Sequence, residues 1–130
     1  MKLRCLIVDD EPDFLDTIGA LLRENGYDVV EASDGVEGMK KVTEEKPDLV
    51  CLDLLMPHKT GIDLYCDMKN DSALKRIPVI MVTGFVFPSV DHDSYKAFIH
   101  PRSIPVPEAY IEKPIDEDEF LRAVRDVLEA

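Results

Sequence analysis

Short apolar runs alternate with amphipathic segments along this chain, and that alternation limits the folds it can adopt. Five runs have the length and composition of strands: Leu3–Val8, Tyr27–Glu31, Leu49–Leu52, Val79–Val82 and Ala109–Glu112. Four other segments have helix-forming patterns: Pro12–Asn25, Val36–Glu45, Ile62–Lys69 and Asp116–Leu128. Strands that alternate with helices predict right-handed crossovers and a parallel sheet covered by helices on both faces.

The predicted fold class is therefore α/β, a doubly wound five-stranded parallel sheet of the flavodoxin-like (βα)5 type. The 130 residues are enough for one domain with its own core, and we assign residues 1–130 to it. The stretch from Phe85 to Glu108 breaks the rhythm, because it contains four prolines at positions 88, 101, 105 and 107. We predict an atypical proline-rich segment there, which replaces or extends the fourth helix region.

Composition narrows the range of partners and compartments. Lys and Arg total 15 against 27 Asp and Glu, and the resulting net charge of −12 argues against binding nucleic acid or an anionic membrane. No apolar run approaches the roughly 18 residues of a membrane span, and Met1-Lys2 leads into the first strand without a signal peptide. Cys5, Cys51 and Cys66 lack metal-type spacing, so we expect free thiols and a reducing, cytoplasmic location.

Two of the predicted strands end in carboxylates. Asp9 and Asp10 follow the first strand, and Asp53 follows the third. The carboxyl ends of parallel strands meet at one edge of the sheet, where open α/β folds bind their ligands. Three carboxylates at that edge would repel one another, and a hard divalent cation, Mg²⁺ by preference, would relieve the repulsion.

Two further side chains reach the same edge. Thr83 follows the fourth strand, and Lys113 follows the fifth. A carboxylate can attack phosphorus to form an aspartyl phosphate. Phosphoryl transfer needs positive charge around the transferred oxygens, which a divalent cation and Lys113 would supply. The edge therefore has the residues for phosphoryl chemistry on an aspartate.

These residues stand in the motifs Val8-Asp9-Asp10-Glu11-Pro12, Leu52-Asp53-Leu54-Leu55-Met56-Pro57, Thr83-Gly84 and Lys113-Pro114. In this order and on these elements, the motifs resemble those of the receiver domain of response regulators, the CheY-like superfamily of two-component signalling. The resemblance covers nearly the whole chain. It implies a domain that is phosphorylated on aspartate and that switches a partner-binding surface.

The resemblance also implies residue roles. Asp53 would be the phosphoacceptor, and Mg²⁺ would be bound by Asp10, Asp53 and the backbone carbonyl of Leu55, with Asp9 holding it through water. Lys113 would pair with the phosphoryl group, and the bond that joins it to the following proline is expected to be cis. Thr83 would swing toward the phosphoryl group on activation. A second switch residue, Tyr110, would turn inward with it.

The implied partners are a sensor histidine kinase or histidine phosphotransfer protein and an unknown downstream protein, with homodimerisation left open. The domain would not be an enzyme beyond catalysing its own phosphorylation and dephosphorylation. Three alternatives remain: a free-standing phosphorelay carrier, an interaction module independent of phosphorylation, and a phosphatase of the haloacid dehalogenase type. The last family places a second aspartate two residues after its nucleophile, where this chain has Leu55.

Simpler roles remain open for several residues. Asp9 or Asp10 could cap the helix that follows. Thr83 could merely end a strand, Lys113 and its proline could form only a turn, and strands favour aromatics such as Tyr110 in any case. The three histidines, at positions 58, 92 and 100, are interpreted as solvated loop residues.

One sequence feature bears on the lifetime of a phosphorylated state. Leu55 lies two residues after Asp53, and Phe85 lies two residues after Thr83. In the family that the chain resembles, these positions vary and border the phosphoryl group. Because neither apolar side chain can orient an attacking water, the sequence predicts slow self-dephosphorylation.

Overall fold

The computed structural model describes residues 2–54, 61–83 and 107–129, and within these ranges the chain forms an α/β domain. The strands are β1 (Arg4–Val8), β2 (Asp28–Ala32), β3 (Leu49–Leu52), β4 (Val79–Thr83) and β5 (Ala109–Glu112). The helices are α1 (Pro12–Glu24), α2 (Gly35–Glu45), α3 (Gly61–Lys69) and α4 (Glu117–Glu129). Most of the segment from Phe85 to Glu108, together with the three histidines, lies outside the described residues.

The five strands form one parallel sheet in the order β2-β1-β3-β4-β5. The predicted doubly wound, flavodoxin-like sheet is confirmed. After β1 the chain first adds a strand on one side, as β2, and then returns to the other side, as β3. The point where the strand order reverses is where open α/β folds place their ligands. Here that point lies between β1 and β3, the two strands that end in aspartates.

The core is divided between the two faces of the sheet, because successive side chains of a strand point to opposite faces. Leu6 and Val8 of β1 pack with the α2 and α3 side of the sheet. Cys5 and Ile7 pack with the α1 and α4 side. All four of these side chains are fully buried. Since β1 and β3 are apolar on both faces, they can only occupy the middle of the sheet.

Capping explains where two of the helices begin. The Asp34 carboxylate accepts a hydrogen bond of 2.8 Å from the Glu37 N–H at the start of α2. The Asp116 carboxylate accepts one of 2.9 Å from the Glu119 N–H, so Asp116 precedes α4 rather than forming its first turn. The second strand begins one residue later than predicted, because the Tyr27 N–H bonds the Leu22 carbonyl at the end of α1.

None of the three cysteines forms a disulfide; Cys5 and Cys51 are buried and Cys66 is partly exposed. This agrees with the expectation that the chain contains no disulfide among these cysteines. No helix within residues 2–54, 61–83 and 107–129 has both the length and the apolar composition needed to cross a membrane.

Candidate functional site

An acidic cluster lies at the carboxyl edge of the sheet. One carboxylate oxygen from each of Asp9, Asp10 and Asp53 lies within 4.8 Å of the other two. Asp9 is fully buried and Asp53 is 6% exposed, whereas Asp10 is exposed. The structure therefore brings together the three aspartates that the sequence placed at strand ends.

The sheet itself fixes the backbone of the cluster. The Asp9 N–H donates to the carbonyl of Ala32 at 3.1 Å, and the Asp53 N–H donates to the carbonyl of Val8 at 3.0 Å. Each aspartate thus extends the hydrogen-bonding ladder by one residue beyond its strand. Asp9 does not cap α1 by its side chain; the N-cap is Glu11, which makes no side-chain capping bond.

Gly61, the first residue of α3, approaches the backbone of Asp53 closely. A Cβ atom built on Gly61 would lie 1.8 Å from the Asp53 carbonyl oxygen and 2.9 Å from the Leu54 Cα. The Gly61 N–H also donates to the Leu54 carbonyl at 3.0 Å. Only glycine fits here, so α3 holds the residue that carries the third carboxylate.

The cluster fits a hard divalent cation. Mg²⁺ binds oxygen ligands at about 2.0–2.1 Å in an octahedron, so two of its ligands are about 3 to 4 Å apart. The separations of up to 4.8 Å leave room for one carboxylate to act through water. Three carboxylates without a thiol or imidazole favour Mg²⁺ over softer metals. Leu55, whose carbonyl is the fourth predicted ligand, lies outside the described residues.

Lys113 extends from the end of β5 into the acidic cluster. Its Nζ lies 2.7 Å from Asp9 Oδ2 and 2.9 Å from Glu11 Oε1. The ammonium also lies 4.3 Å from the centre of the Phe14 ring, within range of a cation–π contact. The side chain is 14% exposed. The bond between Lys113 and Pro114 is cis, as the resemblance implied.

For each member of this ion pair, burial and pairing shift the pKa in opposite directions. Burial raises the pKa of Asp9, and the hydrogen bonds from Lys113 and the Glu11 N–H reduce that rise without cancelling it. Burial lowers the pKa of Lys113, but hydrogen bonds to Asp9 and Glu11 and the charge of Asp53 outweigh it, so that pKa is raised. The Lys113 ammonium therefore favours the ionised form of Asp9.

The two predicted switch residues lie on the neighbouring strands. Thr83 ends β4 and pairs in register with Glu112, the residue before Lys113. Tyr110 of β5 is partly buried and packs against the α2 and α3 side of the core. Their backbones are thus at the expected edge and strand, and their switch roles stay predictions.

Sequence reasoning missed the roles of Glu11 and Phe14 at this site. Glu11 belongs to the first motif and directly follows two aspartates of the cluster, but its sequence position alone predicts no function. Phe14 is partly buried, packs against the core on the α1 and α4 side of the sheet, and contacts the Lys113 ammonium. The sequence contained one signal for these roles: a lysine follows β5, and carboxylates that could pair with it follow β1.

The fold and the cluster together define a flavodoxin-like domain with a cation-competent acidic site at its switch point. The sequence pattern of the response regulator receiver domain matches residues 5–125 of this chain. The chain therefore belongs to the response regulator receiver domain family, and the resemblance seen in its motifs is confirmed.

Individual relatives agree with this assignment. Protein PilH of Pseudomonas aeruginosa is 32% identical over 125 residues, covering 96% of this chain and 97% of PilH. A CheY-like receiver domain protein from Methanospirillum hungatei superposes with a TM-score of 0.80 at 28% identity, covering 99% and 95% of the two chains. The receiver domain of the sensor kinase PA1611 from P. aeruginosa, solved with Mg²⁺ in its cleft, has a TM-score of 0.81 at 21% identity with full coverage.

Several other relatives are longer proteins. This chain spans 48% of the DNA-binding regulator RpaA of Synechocystis and 34% of the regulator PhoP of Bacillus subtilis. The receiver domain is thus found both as nearly a whole protein, as in PilH, and as one part of a transcriptional regulator.

Proposed function

We propose that Asp53 accepts a phosphoryl group from a phosphohistidine of a sensor histidine kinase or histidine phosphotransfer protein. An Asp53 carboxylate oxygen forms the new bond to phosphorus, the phosphorus–nitrogen bond breaks, and the released imidazole takes up a proton. The observation that carries this proposal is the convergence of three carboxylates within 4.8 Å, with Lys113 bonded to one of them. Membership of the receiver family supports it.

The other residues of the site bind the metal ion, neutralise negative charge and respond to phosphorylation. Asp9 and Asp10, with Asp53, hold Mg²⁺, which supplies positive charge to the phosphoryl oxygens when bound. The Lys113 ammonium adds a second positive charge and favours the ionised form of Asp9. Thr83 donates a hydrogen bond to the phosphoryl group, and Tyr110 follows it as the second switch residue. The Mg²⁺ seen in the PA1611 receiver domain supports the choice of metal.

The output of the domain is a change in the surface offered to a downstream protein. The chain catalyses only its own phosphorylation and dephosphorylation. Membership of the receiver family supports this kind of output. Because the segment from Phe85 to Glu108 has an atypical, proline-rich sequence, we expect a partner contact unlike that of standard receivers. Deleting 102–106 and finding the partner's affinity unchanged would contradict that expectation.

Intact mass after incubation with acetyl phosphate tests the central step. The wild-type protein should gain one phosphoryl group in Mg²⁺ and none in a chelator. Asp53→Asn should gain none, and Asp126→Asn, an exposed carboxylate of α4, should behave as wild type. An unmodified wild-type protein would favour an interaction module independent of phosphorylation. Turnover of free phosphate esters would favour a hydrolase instead.

A further inference from the structure

Lys113 and the cation site compete for the same carboxylate. Asp9 belongs to the three-carboxylate cluster, and its Oδ2 atom also accepts the 2.7 Å bond from Lys113. Its Oδ1 atom accepts from the Glu11 N–H at 2.9 Å, so both oxygens are already engaged. A divalent cation that draws on Asp9 brings two positive charges close to the ammonium. The Asp9–Lys113 bond must then weaken, because like charges repel within the same pocket.

Glu11 is placed to compensate for that loss. Its Oε1 atom lies 2.9 Å from the Lys113 Nζ, yet Glu11 is not a member of the three-carboxylate cluster. The Glu11 side chain is 64% exposed, so it can shift with the ammonium at little cost. Phe14 contacts the same ammonium at 4.3 Å. These two contacts do not depend on Asp9.

We propose that Glu11 is a positioning residue that retains Lys113 in the pocket when a divalent cation takes over Asp9. Two of the three ammonium hydrogens bond to Asp9 and Glu11 in this structure. When the cation displaces the first bond, Glu11 keeps the lysine beside Asp53 with donors available for a phosphoryl oxygen. The inference rests on the cation site of the proposed function and is independent of phosphoryl transfer itself.

Calorimetric titration with Mg²⁺ alone tests this role without any phosphodonor. Glu11→Gln removes the alternative partner, so displacement of Lys113 becomes costlier and the Mg²⁺ affinity should fall about two- to five-fold, the range of an exposed ion pair. Asp13→Asn is the matched control: it removes an exposed first-turn charge of α1 that has no described contact with Lys113 among the residues the structure covers. It should leave the affinity within about 1.5-fold of wild type.

The same titration in a Lys113→Met background distinguishes a positioning role of Glu11 from a simple effect of its charge. If Glu11 acts through the lysine, Glu11→Gln should change the Mg²⁺ affinity of that background by less than about 1.5-fold. An equal loss in both backgrounds would show a long-range charge effect and overturn the inference. Absence of Mg²⁺ binding by the wild-type protein would overturn the cation site as well, whereas normal binding with no effect of Glu11→Gln would overturn this inference alone.

Amine labelling provides a readout that needs no lysine variant. The rate at which an acylating reagent modifies Lys113 is followed by peptide mass spectrometry, with exposed Lys40 as the internal reference. In the wild-type protein, Mg²⁺ should change the Lys113 rate little, because Glu11 retains the side chain. In Glu11→Gln, Mg²⁺ should accelerate labelling several-fold. Equal responses to Mg²⁺ in both proteins would contradict the proposal.

Discussion

Gly61→Ala should damage both the stability and the chemistry of this domain. In real proteins, non-bonded heavy atoms essentially never lie closer than 3.0 Å to a Cβ atom. The Cβ atom added at position 61 would lie 1.8 Å from the Asp53 carbonyl oxygen. The start of α3 and the backbone after β3 must therefore separate by at least about 1.2 Å. Because the clash is with backbone rather than with a flexible side chain, we expect a loss of about 3 kcal/mol in the free energy of unfolding.

The displaced atoms belong to the proposed phosphoacceptor. A shift of about 1 Å at a reacting group can cost roughly 100-fold in rate, so Gly61→Ala should also slow phosphorylation by acetyl phosphate by up to that factor. Urea unfolding in a chelator measures the first effect, and intact mass over time in Mg²⁺ measures the second.

Gly19→Ala is the control for this experiment. Its new Cβ would lie 3.3 Å from the Arg23 Nη1 atom, the far end of a side chain that can move. Alanine also favours the helix by about 1 kcal/mol, so the variant should be as stable as wild type or slightly more stable. A Gly61→Ala protein with wild-type unfolding midpoint and wild-type phosphorylation rate would refute the steric reasoning.

Three further predictions concern the ion pair, the thiols and the lifetime of the phosphorylated state. Lys113→Met leaves a buried carboxylate without its ammonium, so in a chelator it should cost about 3 kcal/mol at neutral pH. The pKa of Asp9 is raised in the folded protein and rises further in this variant, so urea titrations should show the deficit shrinking as the pH falls through that pKa; a deficit constant with pH would contradict the argument. A thiol reagent at mildly alkaline pH should label only Cys66 in the native protein, because burial raises the pKa of Cys5 to about 12 and raises that of Cys51 as well. Labelling of two or three thiols without unfolding would show that the strands open. Leu55→Asn, which adds an amide able to orient water, should lose its phosphoryl group faster than wild type, and equal decay rates by intact mass would dismiss the predicted role of this position.

The fold could be predicted from sequence because residues 5–8 of β1 and all of β3 are apolar without interruption. A strand with such a run is stable only when both of its faces are buried, which places it in the middle of a parallel sheet. Boundaries were less certain, since the Tyr27 N–H could join either the strand ladder or the end of α1, and the structure gives it to α1. The segment from Phe85 to Glu108 has no periodicity from which a structure could be predicted.

The candidate site was predictable to the extent that it depends on strand ends. Asp9, Asp10 and Asp53 follow directly from the sheet, because carboxyl ends of parallel strands share an edge. The partners of Lys113 did not follow, since a long side chain can reach several carboxylates and the choice depends on its rotamer. The contacts of Glu11 and Phe14 with Lys113 therefore follow only from the structure, which places this lysine, after β5, against the start of α1.

The division of the core has a consequence for how this domain unfolds. Among the described residues the buried side chains form two clusters, one on each face of the sheet, so substitutions in opposite halves should have additive effects. The acidic cluster spans that division, because Asp9 leads into α1 whereas Asp53 is held against α3 through Gly61. A cation bound to both aspartates would act as a cross-link between two separately packed layers, and its binding energy would appear as greater cooperativity between them.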